Sequence, residues 1–234
     1  RPGRGYLRAR SGLSPARLII VNHGDHGELH SSNCRMSRVS GRMRLATFNL
    51  ESLDRQPQAL HTLERRIDIL RPQLERLAAD ILCVQEINAQ HVTGKKERAF
   101  IALDQLLEGT RYAAYNRATS HRVEGSGAAS VHNLVTLSRF PIVASRELKH
   151  ELVPPLSYRY VTAQPPEALT EQILFDRPIL LTELAVTPAT TIAIINVHLR
   201  APLAAAVKGQ KLAPFTWATT SGWAEGFFVA SLKR

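Results

Sequence analysis

Cysteine is scarce in this chain. Its 234 residues hold two, Cys34 and Cys83, with no Cys-x-x-Cys pair and no Cys/His metal spacing, which argues against a disulfide framework or a zinc-binding module. Long apolar runs are missing as well: none reaches the roughly 18 to 20 residues that a membrane-crossing helix needs. No initiator Met opens the chain, and Met36 and Met43 are its only methionines. The first 42 residues also lack the apolar core, roughly 7 to 15 residues long, of a secretory signal. Together these absences set the expectation of a cytoplasmic protein with reduced thiols and no membrane span.

What is present is ordinary for a globular protein: 44% apolar and 21% charged residues, in a chain long enough for one sizeable core. The formal charge of +10 is unevenly spread. Residues 1–42 carry eight Arg against two acidic residues, a net of +6, and the remainder is only mildly basic at +4. Such an excess suits a polyanionic partner and serves solubility equally well.

Residues 1–42 are rich in Arg, Gly and Ser, with one brief apolar run, Leu18-Ile19-Ile20-Val21. His23, His26 and His30 alternate with Asp25 and Glu28, but no scaffold is evident to fix them as metal ligands. Met43 stands just before the first regular strand, so the domain is expected to span 43–234. The first 42 residues then form a basic, disordered extension, read either as translated upstream sequence or, being acid-poor, as an organelle transit peptide.

Beyond Met43 the pattern alternates between strand and helix. Leu60, Leu63, Ile67, Leu70, Leu74 and Leu77 recur at spacings of three and four, which predicts an amphipathic helix over 60–79. Pro72 is expected to kink it or to start a second helix. A further helix is predicted over 97–108, stopped by Gly109, then a short strand over 112–115 and a loop over 116–130. Residues 180–187 and 191–198 read as two strands around a tight turn. Prolines break up 151–178 into a long surface connection. Residues 203–211 read as a flexible Ala-rich stretch, followed by a helix over 222–232 whose aromatic residues are expected to pack in the core.

Two apolar strands deliver one polar residue each at their carboxyl ends: Asn49 in Thr47-Phe48-Asn49-Leu50, and Glu86 in Asp80-Ile81-Leu82-Cys83-Val84-Gln85-Glu86. Buried parallel strands read as near-continuous apolar runs, and ligands of open α/β sheets gather outside the carboxyl ends of the strands. A carboxylate and a carboxamide brought together there can hold a hard cation and a phosphate oxygen. Two later segments, Leu137-Ser138-Arg139-Phe140-Pro141-Ile142 and Asn196-Val197-His198-Leu199-Arg200, complete the pattern.

In this order the segments resemble the endonuclease/exonuclease/phosphatase superfamily over about residues 43–200. The resemblance implies an α/β fold, a sandwich of mixed β-sheets flanked by helices, and metal-dependent hydrolysis of a phosphate ester, most simply a nuclease-like phosphodiesterase. It implies Glu86 as the ligand of Mg²⁺ or Mn²⁺, Asn49 and His198 as catalytic groups, and Arg200 as a phosphate contact. A phosphate-ester substrate follows, nucleic acid among the candidates; oligomeric state is not readable. His132 stands where the family usually has Gly, and either faces the site or packs on its strand.

The same comparison shows what is lacking. No Gly-Asp-x-Asn run follows His198, no Asp-His pair closes the chain, and no Asp at all follows Asp176. The second half of the domain is therefore expected to be incomplete and the chain truncated. An inactive fragment, or a nucleic-acid-binding module using the Arg-rich arm, stands as the alternative.

Overall fold

The computed structural model describes residues 17–22 (backbone only), 42–55, 61–121, 127–148, 150–151, 153–199 and 203–233. Its elements in chain order are β1 (Arg17–Asn22), β2 (Leu45–Leu53), α1 (Leu63–Leu77), β3 (Ile81–Ile87), β4 (Gln90–His91), β5 (Arg98–Ala99) and α2 (Ile101–Leu107). Then come β6 (Asn116–Thr119), β7 (Asn133–Ser138), β8 (Ile142–Leu148), β9 (Leu156–Tyr158), β10 (Glu171–Ile173), β11 (Ile179–Thr187) and β12 (Thr190–Val197). The small pair β13 (Lys211–Ala213) and β14 (Thr216–Trp217) precedes α3 (Thr220–Leu232).

Two four-stranded mixed sheets carry the fold. The first runs β2-β3-β7-β6, with β2 and β3 parallel and the other pairs antiparallel; the second runs β1-β12-β11-β8, with β1 parallel to β12. The expected α/β sandwich of mixed sheets is what the chain forms. Ile81 and Cys83 of β3 meet Leu184 of β11 and Ile192 and Ile194 of β12 between the sheets. On the opposite face of the first sheet, Leu82 and Val84 meet Leu63, Ile67 and Leu74 of α1 and Leu103 and Leu106 of α2. β3, buried on both faces, therefore reads as an apolar run over residues 81–84. Burial pushes the Cys83 thiol up to about 12, so it acts as a small hydrophobe.

Several expectations are corrected. α1 starts on Thr62, whose hydroxyl accepts from the Arg65 N–H, and runs through Pro72 as one helix. Residues 111–114 form a 3-10 turn rather than a strand. The Thr110 hydroxyl caps it, and the Tyr112 hydroxyl is drawn inward, donating to the Leu74 carbonyl at 2.9 Å and accepting from the Ala79 N–H at 3.0 Å. The strand lies just beyond, at β6, inside the stretch read as loop. β1 lies N-terminal to Met43, within the stretch read as an extension, and its apolar run pairs along β12; the three histidines and Cys34 of that stretch lie outside the described residues.

The C-terminal reading also changes. Residues 203–211 are packed rather than loose: Ala204, Ala205, Val207 and Gln210 are buried. α3 turns its glycines inward and its aromatics outward. A Cβ at Gly226 would meet the Ala205 carbonyl at 2.4 Å, and one at Gly222 would meet Gln210 Oε1 at 2.3 Å. Only glycine permits that approach, so Trp223, Phe227 and Phe228 are left between 41% and 47% exposed.

Candidate active site

The strands' own alternation explains how Glu86 reaches the site. Along β3, residues 81 and 83 face the second sheet and 82 and 84 face the helices. Strict alternation would send residue 86 to the helix side with them. Instead Ile87 lies in the helix-side core, and Glu86 adopts a left-handed conformation at φ 57°. The pairing with β2 slips between Asn49 and Leu53, and the pairing with β7 slips between Val84 and Ile87. Bulges of this kind re-aim a side chain. Here they release Glu86 from the helix-covered face.

Three strand ends then converge. Asn49 Oδ1 accepts from the Glu51 N–H at 2.7 Å, which turns its amide nitrogen toward Glu86 Oε1 at 3.3 Å and His198 Nε2 at 3.5 Å. His198 follows the last residue of β12, is only 3% exposed, and places Nε2 3.3 Å from Glu86 Oε1. The other carboxylate oxygen, Oε2, accepts from the Ser52 N–H at 2.9 Å and the Ser52 hydroxyl at 3.3 Å. Burial pushes the Glu86 pKa up, but the Asn49 hydrogen bond, the charge at His198, the Ser52 N–H and His132 outweigh it and hold the carboxyl below its usual range.

Strain gathers at this place. Among the described non-glycine residues five have positive φ, and four of them, Glu51, Ser52, Glu86 and His132, surround the cluster; the fifth, Ala78, caps α1. Such backbone costs on the order of 1–3 kcal/mol per residue and persists where the surroundings over-determine it. Arg66 of α1 donates to the carbonyls of Leu50 and Glu51 and braces the strained turn.

Beneath the cluster a buried polar bridge joins the sheets. Gln85 Nε2 donates to Asn196 Oδ1 at 2.8 Å and to the Thr47 hydroxyl at 3.0 Å, and Asn196 Nδ2 reaches the Val135 carbonyl at 3.2 Å. Gln85 and Asn196 are both fully buried. Asn133 pins the start of β7, its amide donating at 2.8 Å to the carbonyls of Ile87 and Ala129. Sequence reasoning passed over these three amides. The available signal was a polar residue inside each apolar strand, one position before the site residue on β3 and two before it on β12.

Of the four residues expected at the site, Asn49, Glu86 and His198 come together, and Arg200 lies outside the described residues. His132, left open by the sequence, lies close enough for the charges of Glu86 and His198 to act on it. Burial first, then Arg177 and His198, lower its pKa against the pull of Glu86. His132 Nδ1 is buried with no hydrogen-bond partner among the described residues.

No group of three or more His, Cys, Asp or Glu among the described residues could hold a metal ion. The donor set is one carboxylate with a neighbouring carboxamide. That does not make an all-protein cage, but it fits Mg²⁺, which uses one or two carboxylates and completes its shell with water and substrate phosphate.

No protein-family model matches the chain, and no curated protein matches it. Among solved structures it is similar to an endonuclease/exonuclease/phosphatase family protein from Leptotrichia buccalis C-1013-b, 19% identical, with a TM-score of 0.42; the match covers 68% of this chain and 56% of that one. It is similar to a humanized D. rerio TDP2 at 13% identity and TM-score 0.37, over 65% of this chain and 48% of that one. It is similar also to ANGEL2, a 2′,3′-cyclic phosphatase, at 16% identity and TM-score 0.39, over 67% and 41%. The chain thus spans about half the length of these structures.

Proposed function

We propose that this chain carries the phosphate-binding half of a metal-dependent phosphoesterase, a nuclease-like phosphodiesterase in its simplest form. The observation that supports it best is the convergence of Asn49, Glu86 and His198 from two sheets onto one strained point. A core would not assemble a carboxylate, a carboxamide and an imidazole there for packing alone, since unstrained apolar residues would be more stable.

In this reading Glu86 stays ionised near neutral pH, because its pKa is held low, and would hold Mg²⁺ or Mn²⁺. The ion, when bound, would neutralise charge on the phosphoryl oxygens and orient the ester. Asn49 fixes the carboxylate's rotamer. His198, with Nε2 in the cluster, stabilises the phosphate or donates a proton to the leaving oxygen. Arg200, two residues on, is a candidate phosphate contact through its bidentate fork.

The test is Mg²⁺-dependent hydrolysis of bis-p-nitrophenyl phosphate and plasmid DNA by the full chain, beside Glu86→Ala and His198→Ala. Turnover that needs the metal and is abolished by both changes is expected. A folded chain with no turnover, or turnover indifferent to both changes, contradicts the reading.

A further inference from the structure

Next to the cluster lies a cavity of about 490 Å³, within the range of roughly 300–1,000 Å³ in which small molecules are bound. His132 links the two. It lines the cavity, and the charges of Glu86 and His198 act on it. Arg177 lines the same wall and is close enough to His132 to act on its charge. Val131, Leu174 and Phe175 supply apolar surface to the lining, alongside the carboxylates Glu147 and Asp176.

One part of that lining is flat and fixed. The rings of His150 and Phe175, both lining residues, stack with centroids 4.2 Å apart and planes 19° from parallel. His150 is locked in place: Nδ1 bonds the Val153 carbonyl at 3.0 Å, and Nε2 accepts the Phe175 N–H at 3.2 Å. The protein thus offers an imidazole and a guanidinium, His132 and Arg177, together with a stacked-ring wall in one cavity.

We infer that this cavity binds the organic group of the ester, that this group is planar and aromatic, such as an aryl ring or a nucleobase, and that His132 contacts the ester where cluster and cavity meet. The inference rests on the phosphoesterase reading for where the phosphate sits. Cavity size suits one such group, and the apolar part of the lining disfavours a hydroxylated chain, whose polar groups would lose their water partners. The buried Nδ1 of His132, without a hydrogen-bond partner among the described residues, is placed to meet an ester oxygen.

The experiment is calorimetric titration of the full chain, in Mg²⁺, with phenyl phosphate and with glycerol phosphate. Phenyl phosphate is expected to bind about tenfold more tightly, the effect of one stacking contact. Val131→Trp, at a half-exposed position on the cavity wall, fills the space and is expected to bring the affinity ratio near one. Phe175→Leu, which keeps the volume and removes the ring, is expected to lower the ratio too. Equal affinities in the unmodified chain, or a preference that survives both variants, overturn the inference. The two readings separate cleanly. Hydrolysis that depends on Glu86 without any aryl preference overturns the cavity assignment alone, whereas an aryl preference without hydrolysis overturns the phosphoesterase reading and leaves the aromatic cavity standing.

Discussion

Glu86 and Glu225 are held in similar ways at opposite parts of the molecule. Each carboxylate is held by four polar groups. Glu86 is bonded by Asn49, the Ser52 N–H, the Ser52 hydroxyl and His198. Glu225 is bonded by the Tyr158 hydroxyl at 2.9 Å, the N–H groups of Val161 and Thr162, and the Thr162 hydroxyl. Burial raises both pKa values, and hydrogen bonds then bring both below the ordinary 4.5.

The difference lies in the company they keep. Glu225 sits on a regular helix and its donors all come from one short segment; it fastens α3 to residues 158–162. Glu86 sits in left-handed backbone at two strand bulges, and shares its oxygen with an imidazole brought from the other sheet. Four satisfied bonds therefore do not distinguish structure from function. What sets Glu86 apart is strained backbone and an imidazole partner.

The largest effect expected from breaking this contrast is on turnover. His198→Ala should lower kcat for bis-p-nitrophenyl phosphate on the order of a thousandfold, the scale of losing a positioned acid, while circular dichroism stays unchanged. Next comes Glu225→Ala, which strands four donors. It should cost about 3 kcal/mol in a urea titration and leave the substrate preference of the remaining folded chain intact.

A smaller change of opposite sign sharpens the contrast. His132→Gly relieves a left-handed residue at φ 60° and should raise stability by about 0.5–1 kcal/mol, measured by thermal melting, while weakening aryl phosphate binding. The smallest effect is in acid. A carboxyl whose folded pKa lies below its unfolded value gives stability that is complete above the ordinary 4.5 and is lost as pH falls through the folded value. Melting temperature should thus fall below pH 4.5, and Glu225→Gln should flatten that limb of the curve.

Much of this was legible in the sequence because short apolar runs in β2, β3 and β12 lead to Asn49, Glu86 and His198. The resemblance those segments carry is what named Asn49, Glu86 and His198 before any geometry. The polar bridge of Thr47, Gln85 and Asn196 was not legible, because a lone amide in a strand shows no partner until the sheets stack. The outward aromatics of α3 were misread for a related reason. Aromatic spacing alone suggests a core face, and only the close approach of Ala205 and Gln210 shows that Gly222 and Gly226 own the inside. The 3-10 turn at 111–114 depends on Tyr112 reaching Leu74 and Ala79, contacts more than thirty residues away in sequence.

The central claim is that Glu86 serves chemistry and Glu225 serves the fold. Measuring kcat and melting temperature for Glu86→Gln and Glu225→Gln side by side tests it most directly. A crossover is expected: Glu86→Gln abolishes metal-dependent phosphodiester turnover and lowers the melting temperature less than Glu225→Gln does, whereas Glu225→Gln keeps kcat. Two variants that lose stability alike and leave turnover unchanged, or that lose both together, would contradict it.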